Sequence, residues 1–271
     1  MISIIINAHK NKEQVQRLIN RIKHKDIDIF VHADKKFNVD KFDNAKILNT
    51  RYDIKWGDDS IINCIISSLK EICNKKYSHY ILISGQDYPL VSSGKIVEFL
   101  NKNKDKEYID YVKIGNSDSE WNVSNRYCYY RFNNRILDYI SRKIYNKREI
   151  LKGYPHYGGS LWWILTNDCI EYVISRYADV SRKLKYTLCA DEVIFQTLIC
   201  NSKFKKNIVN NNYRYIDWSC HINGLNNGNP NILTKDDYDK MINSGKFFAR
   251  KFDYNVDKEI FDMLDKYIDS K

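Results

Sequence analysis

Short apolar runs alternate with amphipathic stretches through the first hundred residues of the chain. Residues 2–6 form an apolar, β-branched run that predicts a first strand. The apolar positions of residues 15–22 then repeat with the spacing of a helix. The same alternation predicts strands at residues 27–32, 45–48 and 80–83 and helices at residues 61–72 and 95–100. Strands that alternate with helices are typical of the α/β class, with a mostly parallel central sheet flanked by helices.

The alternation stops in the middle of the chain and then resumes. Residues 107–155 are polar, rich in Tyr and Arg and without a clean period, so they are predicted to form loops near a functional site. The later pattern predicts strands at residues 160–165 and 213–218 and helices at residues 168–175, 191–200 and 236–242. Because no Gly-, Pro- or Ser-rich linker separates these elements, we expect one domain, residues 1–271.

Net charge and cysteine usage narrow the class of protein and its surroundings. Lys and Arg number 44 against 34 Asp and Glu, a formal net charge of +10. Such a surplus attracts phosphates, nucleotides, nucleic acids or an anionic membrane, although a solvated lysine-rich surface also explains it. The seven cysteines are odd in number and include no C-x-x-C, which favours buried thiols in a reducing compartment. The first apolar run is too short for a signal peptide or a membrane span, so we expect a cytoplasmic location.

Two carboxylates stand where strands of the predicted sheet end. Asp34 follows the strand at residues 27–32, and Asp87 follows the strand at residues 80–83. Ligands of such sheets bind beyond the carboxyl ends of the strands, so both acids are candidate ligand contacts. Asp87 is alternatively a turn residue whose carboxylate accepts hydrogen bonds from nearby backbone N–H groups.

Four ordered stretches of the chain carry a resemblance to a known family. They are WGDDS at 56–60 with SGQDYPL at 84–90, GSLWW at 159–163, ADEVIFQT at 190–197, and RYIDWS at 214–219 with FARKFD at 248–253. In this order and spacing they resemble the core-2/I-branching β-1,6-N-acetylglucosaminyltransferases, glycosyltransferase family 14, which also includes peptide O-xylosyltransferases. The resemblance covers nearly the whole chain, from His9 to Asp253.

This resemblance implies a GT-A, Rossmann-like fold and transfer of a sugar from a UDP-sugar with inversion at the anomeric carbon. It suggests a nucleotide-sugar-binding half, residues 1–105, and an acceptor-binding and catalytic half, residues 106–271. It also implies that the UDP-sugar is the only co-substrate, with no divalent metal and no cofactor. The Asp-x-Asp matches at residues 26–28 and 237–239 lie away from the place of a GT-A metal site and are interpreted as solvated carboxylates.

Glu192 matches the catalytic glutamate of the family. Inverting transfer needs one general base, because the attacking hydroxyl loses its proton as its oxygen bonds to the anomeric carbon. Near the start of an apolar helix the helix dipole favours the carboxylate form, which can accept that proton. The alternative is that Asp191 and Glu192 only cap and charge a helix N-terminus.

Cationic side chains are expected to stabilise the departing UDP in place of a metal. Lys251 matches the lysine that holds the pyrophosphate in the family, and Arg250 lies next to it in sequence. The upstream arginine of the family has no counterpart in residues 226–230. The candidates to replace it are Arg126, Arg131 and Arg250. An ordinary basic surface pair is the alternative interpretation of Arg250 and Lys251.

The same resemblance implies contacts to the nucleoside and the donor sugar. Asp34 matches an aspartate that meets the uridine. Ile6 and Asn7, at the end of the first strand, are expected to line the same pocket. Asp87 is expected to support the site or to contact the donor sugar.

Aromatic side chains are expected to bind the acceptor. Trp218 matches a family aromatic, and an indole face complements the apolar C–H face of a sugar. Trp162 is a second candidate, because consecutive strand residues face opposite ways and one of Trp162 and Trp163 should pack in the core. Trp56 is interpreted as structural.

The main hypothesis is an N-acetylglucosaminyltransferase acting on an oligosaccharide or lipid-linked acceptor in surface polysaccharide synthesis. Its basic surface suits peripheral contact with an anionic membrane at the inner face of the cell membrane. UDP-xylose or another UDP-sugar is the alternative donor. A nucleic-acid-binding protein is the alternative from another functional class, and the Tyr and Arg residues within 127–135 suggest it. The basic residues of the chain are dispersed, however, and no nucleic-acid-binding motif is apparent. No nucleic-acid partner is therefore expected. A glycosidase using Asp191 and Glu192 is disfavoured, because adjacent helical residues diverge by about 100°.

Overall fold

The computed structural model describes residues 1–115, 128–132, 134–144, 149–219 and 229–271. The chain divides into two compact units, each made of separate segments. The first unit comprises Met1–Asn49, Ser78–Lys104 and Tyr213–Lys271, and the second comprises Thr50–Tyr77 and Asp105–Asn212. One boundary between the units lies near residue 105, and the segment Tyr213–Lys271 belongs to the first unit. The assignment of residues 1–105 to nucleotide-sugar binding and of residues 106–271 to acceptor binding and catalysis stays a prediction.

Twelve strands and eight α-helices lie in the described ranges. The strands are β1 (Ile2–Ala8), β2 (Ile27–Ala33), β3 (Lys46–Ile47), β4 (His79–Ser84), β5 (Asp87–Pro89), β6 (Glu107–Ile109), β7 (Val112–Lys113), β8 (Tyr157–Gly158), β9 (Trp163–Thr166), β10 (Ile208–Val209), β11 (Arg214–Ile216) and β12 (Phe248–Arg250). The helices are α1 (Lys12–Ile22), α2 (Ser60–Ile72), α3 (Ser93–Lys102), α4 (Arg135–Ile144), α5 (Asn167–Leu184), α6 (Ile194–Cys200), α7 (Tyr238–Ile242) and α8 (Glu259–Asp269). The mixed α/β class with a mostly parallel sheet is therefore confirmed.

Four parallel strands in the order β4-β1-β2-β3 form the main sheet of the first unit. Every residue of β1 and β4 is buried, which explains why both sequences read as nearly continuous apolar runs. The register places Asn7 of β1 beside His32 of β2 and Ser84 of β4. The carboxyl ends of these strands consequently meet at one edge of the sheet.

Helices α1 and α8 pack within the first unit through apolar faces and through ion pairs. The α1 face predicted from the sequence is fully buried at Val15, Leu18, Ile19 and Ile22. Arg17 of α1 contacts Asp265 of α8 at 2.7 Å. The sequence analysis did not assign α8, although its buried residues Ile260, Phe261, Leu264 and Ile268 follow a helical spacing.

A small sheet in the order β11-β12-β5 completes the first unit. Strand β12 is antiparallel to β5 and parallel to β11. The register pairs Arg250 of β12 with Asp87 of β5 and with Ile216 of β11. Three distant segments of the sequence are thus joined through backbone hydrogen bonds.

The second unit contains strands in the order β10-β6-β9 and a β7-β8 ribbon. Strands β10 and β6 are parallel, whereas β9 runs antiparallel to β6. The expectation that residues 107–155 form only loops is wrong, because β6, β7 and α4 lie there. Strand β6 is too short to show a period, and the helical spacing of apolar residues 136, 137, 140 and 144 in α4 was overlooked within a stretch rich in Tyr and Arg.

Several later elements are shorter or longer than the sequence predicted. Strand β9 begins at Trp163, and α5 continues well beyond residue 175. The helix predicted at residues 191–200 is a 3₁₀ turn, Ala190–Glu192, followed by α6. The stretch at residues 237–239 opens α7, in agreement with the helical interpretation of its Asp-x-Asp match.

The glycine that ends β4 is required by the packing of α1. A Cβ atom at Gly85 would lie 2.8 Å from Cγ2 of Val15, which is fully buried. We expect Gly85→Ala to lower the free energy of unfolding by about 1–3 kcal/mol, because the well-packed helix must shift. Urea denaturation of the purified chain measures this difference.

Gly94 in α3 provides the matched control, since no atom lies within 4 Å of a Cβ there. Gly94→Ala should leave stability unchanged or raise it by about 0.5–1 kcal/mol, because Ala is the better helix former. Equal stability of the two variants would contradict the role given to Gly85.

Candidate active site

Predicted site residues lie at the carboxyl edge of the main sheet of the first unit. Asp34 follows β2 and is buried, with its backbone N–H donating to the Ala8 carbonyl at 2.9 Å. Its carboxylate accepts the Lys36 N–H at 2.8 Å. Asn7 is also buried at this edge. Ile6 is fully buried in the strand core, so it can serve a pocket there only through its backbone.

The turn after β4 brings Asp87 back toward the same edge. The Gly85 N–H donates to the Asn7 carbonyl at 2.9 Å, which ties the turn to the end of β1. The Asp87 carboxylate accepts the Ser84 N–H at 2.6 Å. The turn role that the sequence left open for Asp87 is therefore present.

Asp87 also lies between two arginines. Its carboxylate oxygens are 3.6 Å from Arg214 Nη2 and 3.7 Å from Arg250 Nη1. Arg214 further donates to the Leu82 carbonyl at 3.2 Å, and Arg250 to the Ser84 hydroxyl at 3.1 Å. Since Asp87 is fully buried, it supports Arg250 rather than presenting an oxygen to a ligand. Arg214, the second guanidinium that holds Asp87, was not singled out from the sequence.

A cation cluster, defined as Lys10, Arg250 and Lys251, lies next to this arrangement, with Lys10 paired to Asp253 at 2.5 Å. Burial lowers the pKa of Lys251, Arg250 and Lys10 lower it further, and Asp253 opposes the change. Burial likewise lowers the pKa of the neighbouring His9, with added contributions from Lys10 and Lys251, so this imidazole is uncharged at neutral pH. Burial lowers the pKa of Arg250 as well, while Asp87 opposes that change. Cations that depress each other's pKa values favour the binding of an anion, which would relieve their repulsion.

Backbone and side-chain hydrogen bonds hold the chain on both sides of Lys251. The Lys251 carbonyl accepts the Leu233 N–H at 2.8 Å. Buried Gln14 of α1 donates to the Gly85 carbonyl at 2.9 Å and to the Phe252 carbonyl at 3.3 Å. The sequence analysis did not single out Gln14. The sequence feature that could have identified Gln14 is its position: it is a polar residue that falls on the apolar, buried face of α1.

Trp218 lies just beyond β11 on a segment held by its neighbour Asp217. The Asp217 carboxylate accepts hydrogen bonds from Asn231 at 2.8 Å and from the Ser219 N–H at 2.9 Å. Partial burial raises the pKa of Asp217, but these hydrogen bonds outweigh it and lower the pKa overall. Trp218 is 46% exposed, so much of its indole is accessible to a ligand.

Glu192 occupies a tightly positioned turn in the second unit. Cys189 precedes the turn in a left-handed conformation, with φ 51°. Its N–H donates to the Gly57 carbonyl at 2.8 Å, and its carbonyl accepts the Glu192 N–H at 3.2 Å. The Glu192 carbonyl accepts the Gly159 N–H at 2.9 Å. The half-buried Glu192 is thus held directly by the family-like stretch that contains Gly159. The stretch that contains Gly57 holds it indirectly, through Cys189.

The polar residues that follow Glu192 hold α6 in place. Gln196 is fully buried and donates to the Ser160 carbonyl at 2.7 Å. The Thr197 hydroxyl donates to the Tyr157 carbonyl at 2.9 Å and accepts the Tyr157 N–H at 3.0 Å. A Cβ atom at Gly159 would lie 2.1 Å from the Asp110 carbonyl oxygen, so only glycine fits there. The ADEVIFQT stretch therefore combines the candidate base with the groups that position it.

The tryptophans separate into core and accessible residues. Trp163 is fully buried, while Trp162 is half-buried, which identifies the member of the pair that packs in the core. The side chain of Trp56 is 73% exposed, so it does not have the structural role in packing that the sequence suggested. The next residue, Gly57, does have a structural role, because it has φ 81° and its carbonyl accepts the Cys189 N–H.

Of the three candidates for the missing arginine, Arg250 lies beside Lys251 in the cation cluster. Arg131 lies in the second unit and pairs with Asp138 at 3.2 Å. Arg126 and residues 226–228 fall outside the described residues.

The described ranges contain neither a metal-binding cluster nor a membrane-spanning helix. No group of three or more His, Cys, Asp or Glu side chains is arranged there to hold a metal ion. In the same ranges, no helix is both long and apolar enough to cross a bilayer. Six cysteines are free thiols, four of them buried, and Cys220 lies outside the described residues.

These features define an α/β protein in which a cation cluster and two acids gather at the carboxyl edge of a parallel sheet. The chain belongs to the core-2/I-branching enzyme family, since the family described as Core-2/I-Branching enzyme matches residues 4–242.

Curated relatives are similar to this chain over nearly its whole length. Xylosyltransferase 2 of Rattus norvegicus is 26% identical over 284 residues, covering 94% of this chain and 32% of that protein. Xylosyltransferase 1 of Rattus norvegicus is 27% identical over 297 residues, covering 98% of this chain and 35% of that protein. The chain thus spans about a third of the length of these relatives.

A more remote likeness links the chain to a solved structure. The crystal structure of S. aureus TarS 1-349 matches 76% of this chain and 56% of its own, with 12% identity and a TM-score of 0.38. A likeness at this level supports no argument about the site.

Proposed function

We propose that this chain is an inverting glycosyltransferase that moves a sugar from a UDP-sugar to an acceptor hydroxyl without a divalent metal. The observation that carries the proposal is the cation cluster at the sheet edge, with Lys251 at the position of the family's pyrophosphate lysine. Asp34 and Asn7 lie at the same edge and are assigned to the nucleoside, where ligands of such sheets bind.

Arg250 and Lys251 are assigned to the departing diphosphate. Negative charge grows on the leaving phosphate as the glycosidic bond breaks, and prearranged cations stabilise that charge in the transition state. Asp87 holds the Arg250 guanidinium from the buried side, 3.7 Å away. Arg250 thereby takes the place of the upstream arginine that the family uses.

Glu192 is assigned as the general base. It would accept the proton of the acceptor hydroxyl as that oxygen attacks the anomeric carbon. The hydrogen bonds to its N–H and carbonyl fix its backbone, and such preorganisation is what a positioned base requires. Capping a helix is a weaker assignment, because Glu192 lies in a 3₁₀ turn and Val193 precedes the first residue of α6.

UDP-N-acetylglucosamine is the donor expected from the resemblance, and UDP-xylose is the second candidate because the curated relatives are named xylosyltransferases. The acceptor is proposed to be an oligosaccharide or a lipid-linked saccharide in surface polysaccharide synthesis. Trp218 is assigned to its apolar face, since an accessible indole suits sugar C–H groups.

A donor screen in the presence of EDTA tests the proposal. The purified chain should release UDP from one UDP-sugar, by hydrolysis or by transfer to a saccharide, at a rate that EDTA leaves unchanged. Loss of activity in EDTA that manganese restores would overturn the metal-free assignment, and no UDP binding at all would overturn the proposal.

Replacement of the proposed base should separate chemistry from binding. We expect Glu192→Gln to lower turnover by about 100-fold or more, since general bases contribute about 10²–10⁴ in rate. The affinity for UDP, measured by calorimetry, should stay within about twofold. Glu171→Gln, an exposed glutamate of α5, is the control and should retain activity. Near-normal turnover of Glu192→Gln would remove Glu192 from this role.

Lys251 gives the UDP affinity a predictable pH dependence. The pKa of Lys251 is lowered in the free protein, and a bound diphosphate would raise it. The affinity for UDP should therefore be greatest where Lys251 is protonated and should fall as pH rises through that lowered pKa. Lys251→Ala should weaken binding by about 10- to 100-fold at neutral pH, the range of a charge-assisted hydrogen bond.

Lys251→Arg is the matched variant, because an arginine stays charged over this pH range. The UDP affinity of Lys251→Arg should decline less at alkaline pH than that of the native chain. Any titration of UDP itself affects both proteins equally and therefore cancels in the comparison. Lys240→Ala, an exposed lysine of α7, controls for net charge. Identical pH profiles for the native chain and Lys251→Ala would make Lys251 a bystander.

A further inference from the structure

Helix α4 exposes the apolar side chains that an amphipathic helix normally buries. Ile136 and Ile144 are 69% and 70% exposed, and Leu137 and Ile140 are 52% and 41% exposed. At 100° per residue these four side chains fall within about one third of the helix circumference. They form a continuous apolar face, called here the α4 face.

The polar side of α4 is the side that contacts the preceding segment, residues 130–132. Asp138 accepts hydrogen bonds from the Phe132 N–H at 3.2 Å and from Arg131 at 3.2 Å. Buried Ser141 donates to the Tyr130 carbonyl at 3.0 Å. The helix is thus held through its polar groups, and this orientation leaves the α4 face outward, which is the reverse of an ordinary surface helix.

Charge around the α4 face favours an anionic partner. The sequence from 135 to 149 contains five Lys and Arg and two acidic residues, Glu149 and Asp138, and the Asp138 carboxylate is engaged by Arg131. Of the five cationic side chains, the structure describes Lys143, which is exposed and lies 5.6 Å from the centre of the Tyr139 ring, and Tyr139 is itself exposed at the border of the face. An apolar face with an aromatic border and an adjacent lysine, in a basic stretch of sequence, is typical of helices that lie in the interface of anionic membranes.

We propose that α4 binds the surface of an anionic phospholipid bilayer. The α4 face enters the boundary between head groups and acyl chains, and Lys143 extends toward the lipid phosphates. A second copy of this chain is a poorer occupant, because each copy carries a formal net charge of +10 and brings the same exposed Lys143. A membrane-bound α4 would bring the chain to the surface that carries a lipid-linked acceptor, and this link to the acceptor rests on the proposed function. Membrane binding itself depends only on α4.

Vesicle sedimentation with the full chain tests the proposal. Phosphatidylcholine vesicles are compared with vesicles that contain about 30% phosphatidylglycerol, at low salt and at about 0.5 M salt. We expect binding to the anionic vesicles to exceed binding to the neutral ones at least tenfold. The double variant Ile136→Ser/Ile144→Ser should lose at least tenfold of that binding while keeping its thermal unfolding profile, because both side chains are already outside the core.

Two further variants separate the contribution of the α4 face from that of exposed apolar side chains in general and from that of charge. Val256→Ser removes an apolar side chain of the first unit that is 56% exposed and should bind vesicles as the native chain does. Lys143→Glu should weaken binding to anionic vesicles only. Unchanged binding by the double variant, equal binding to neutral vesicles, or a dimer in solution that the double variant dissociates would each overturn the proposal. UDP release by the double variant in detergent-free solution should be unaffected. A failure of the membrane-binding proposal is therefore distinguishable from a failure of the glycosyltransferase assignment.

Discussion

The arrangement of the candidate site depends on one buried ion-pair system, Asp87 with Arg214 and Arg250. A buried carboxylate is costly unless cations and hydrogen-bond donors surround it, and Asp87 has both. The pairing orients Arg250 from inside the first unit. Because β12 continues directly into Lys251, the same constraint places the second cation. The position of the cation cluster at the sheet edge thus depends on a fully buried acid.

Much of the fold was predictable because its main strands and several helices carry strong local signals. β1 and β4 are buried on both faces and therefore read as uninterrupted apolar runs, and α1 buries the stripe that its spacing predicts. Candidate site residues could be named from the sequence only where they lie in family-like stretches, as for Glu192, Arg250 and Lys251. The structure groups the last two with Asp34 and Asn7, and it explains Gln196 and Thr197 as the groups that position the turn of Glu192.

The features that were missed depend on contacts between distant segments. The small sheet joins residues 87, 214 and 250, and no local pattern announces that pairing. Gln14 was overlooked because a polar residue on a helix is usually solvated, whereas here it bridges two backbone carbonyls. α4 was overlooked because its helical spacing is short and lies between polar segments rich in Tyr and Arg, and the outward direction of its apolar side chains depends on contacts that no local pattern shows.

The segmented composition of the first unit bears on how the chain is assembled during translation. Strands β1, β2, β4 and β5 lie within residues 2–89, whereas β11 and β12 lie in the segment Tyr213–Lys271. Asp87 therefore remains without its guanidinium partners until Arg214 and Arg250, 127 and 163 residues further along the chain, have been synthesised. Arg250 and Lys251 arrive together with β12, so the nucleotide affinity proposed for the cation cluster should arise only after the small sheet has formed.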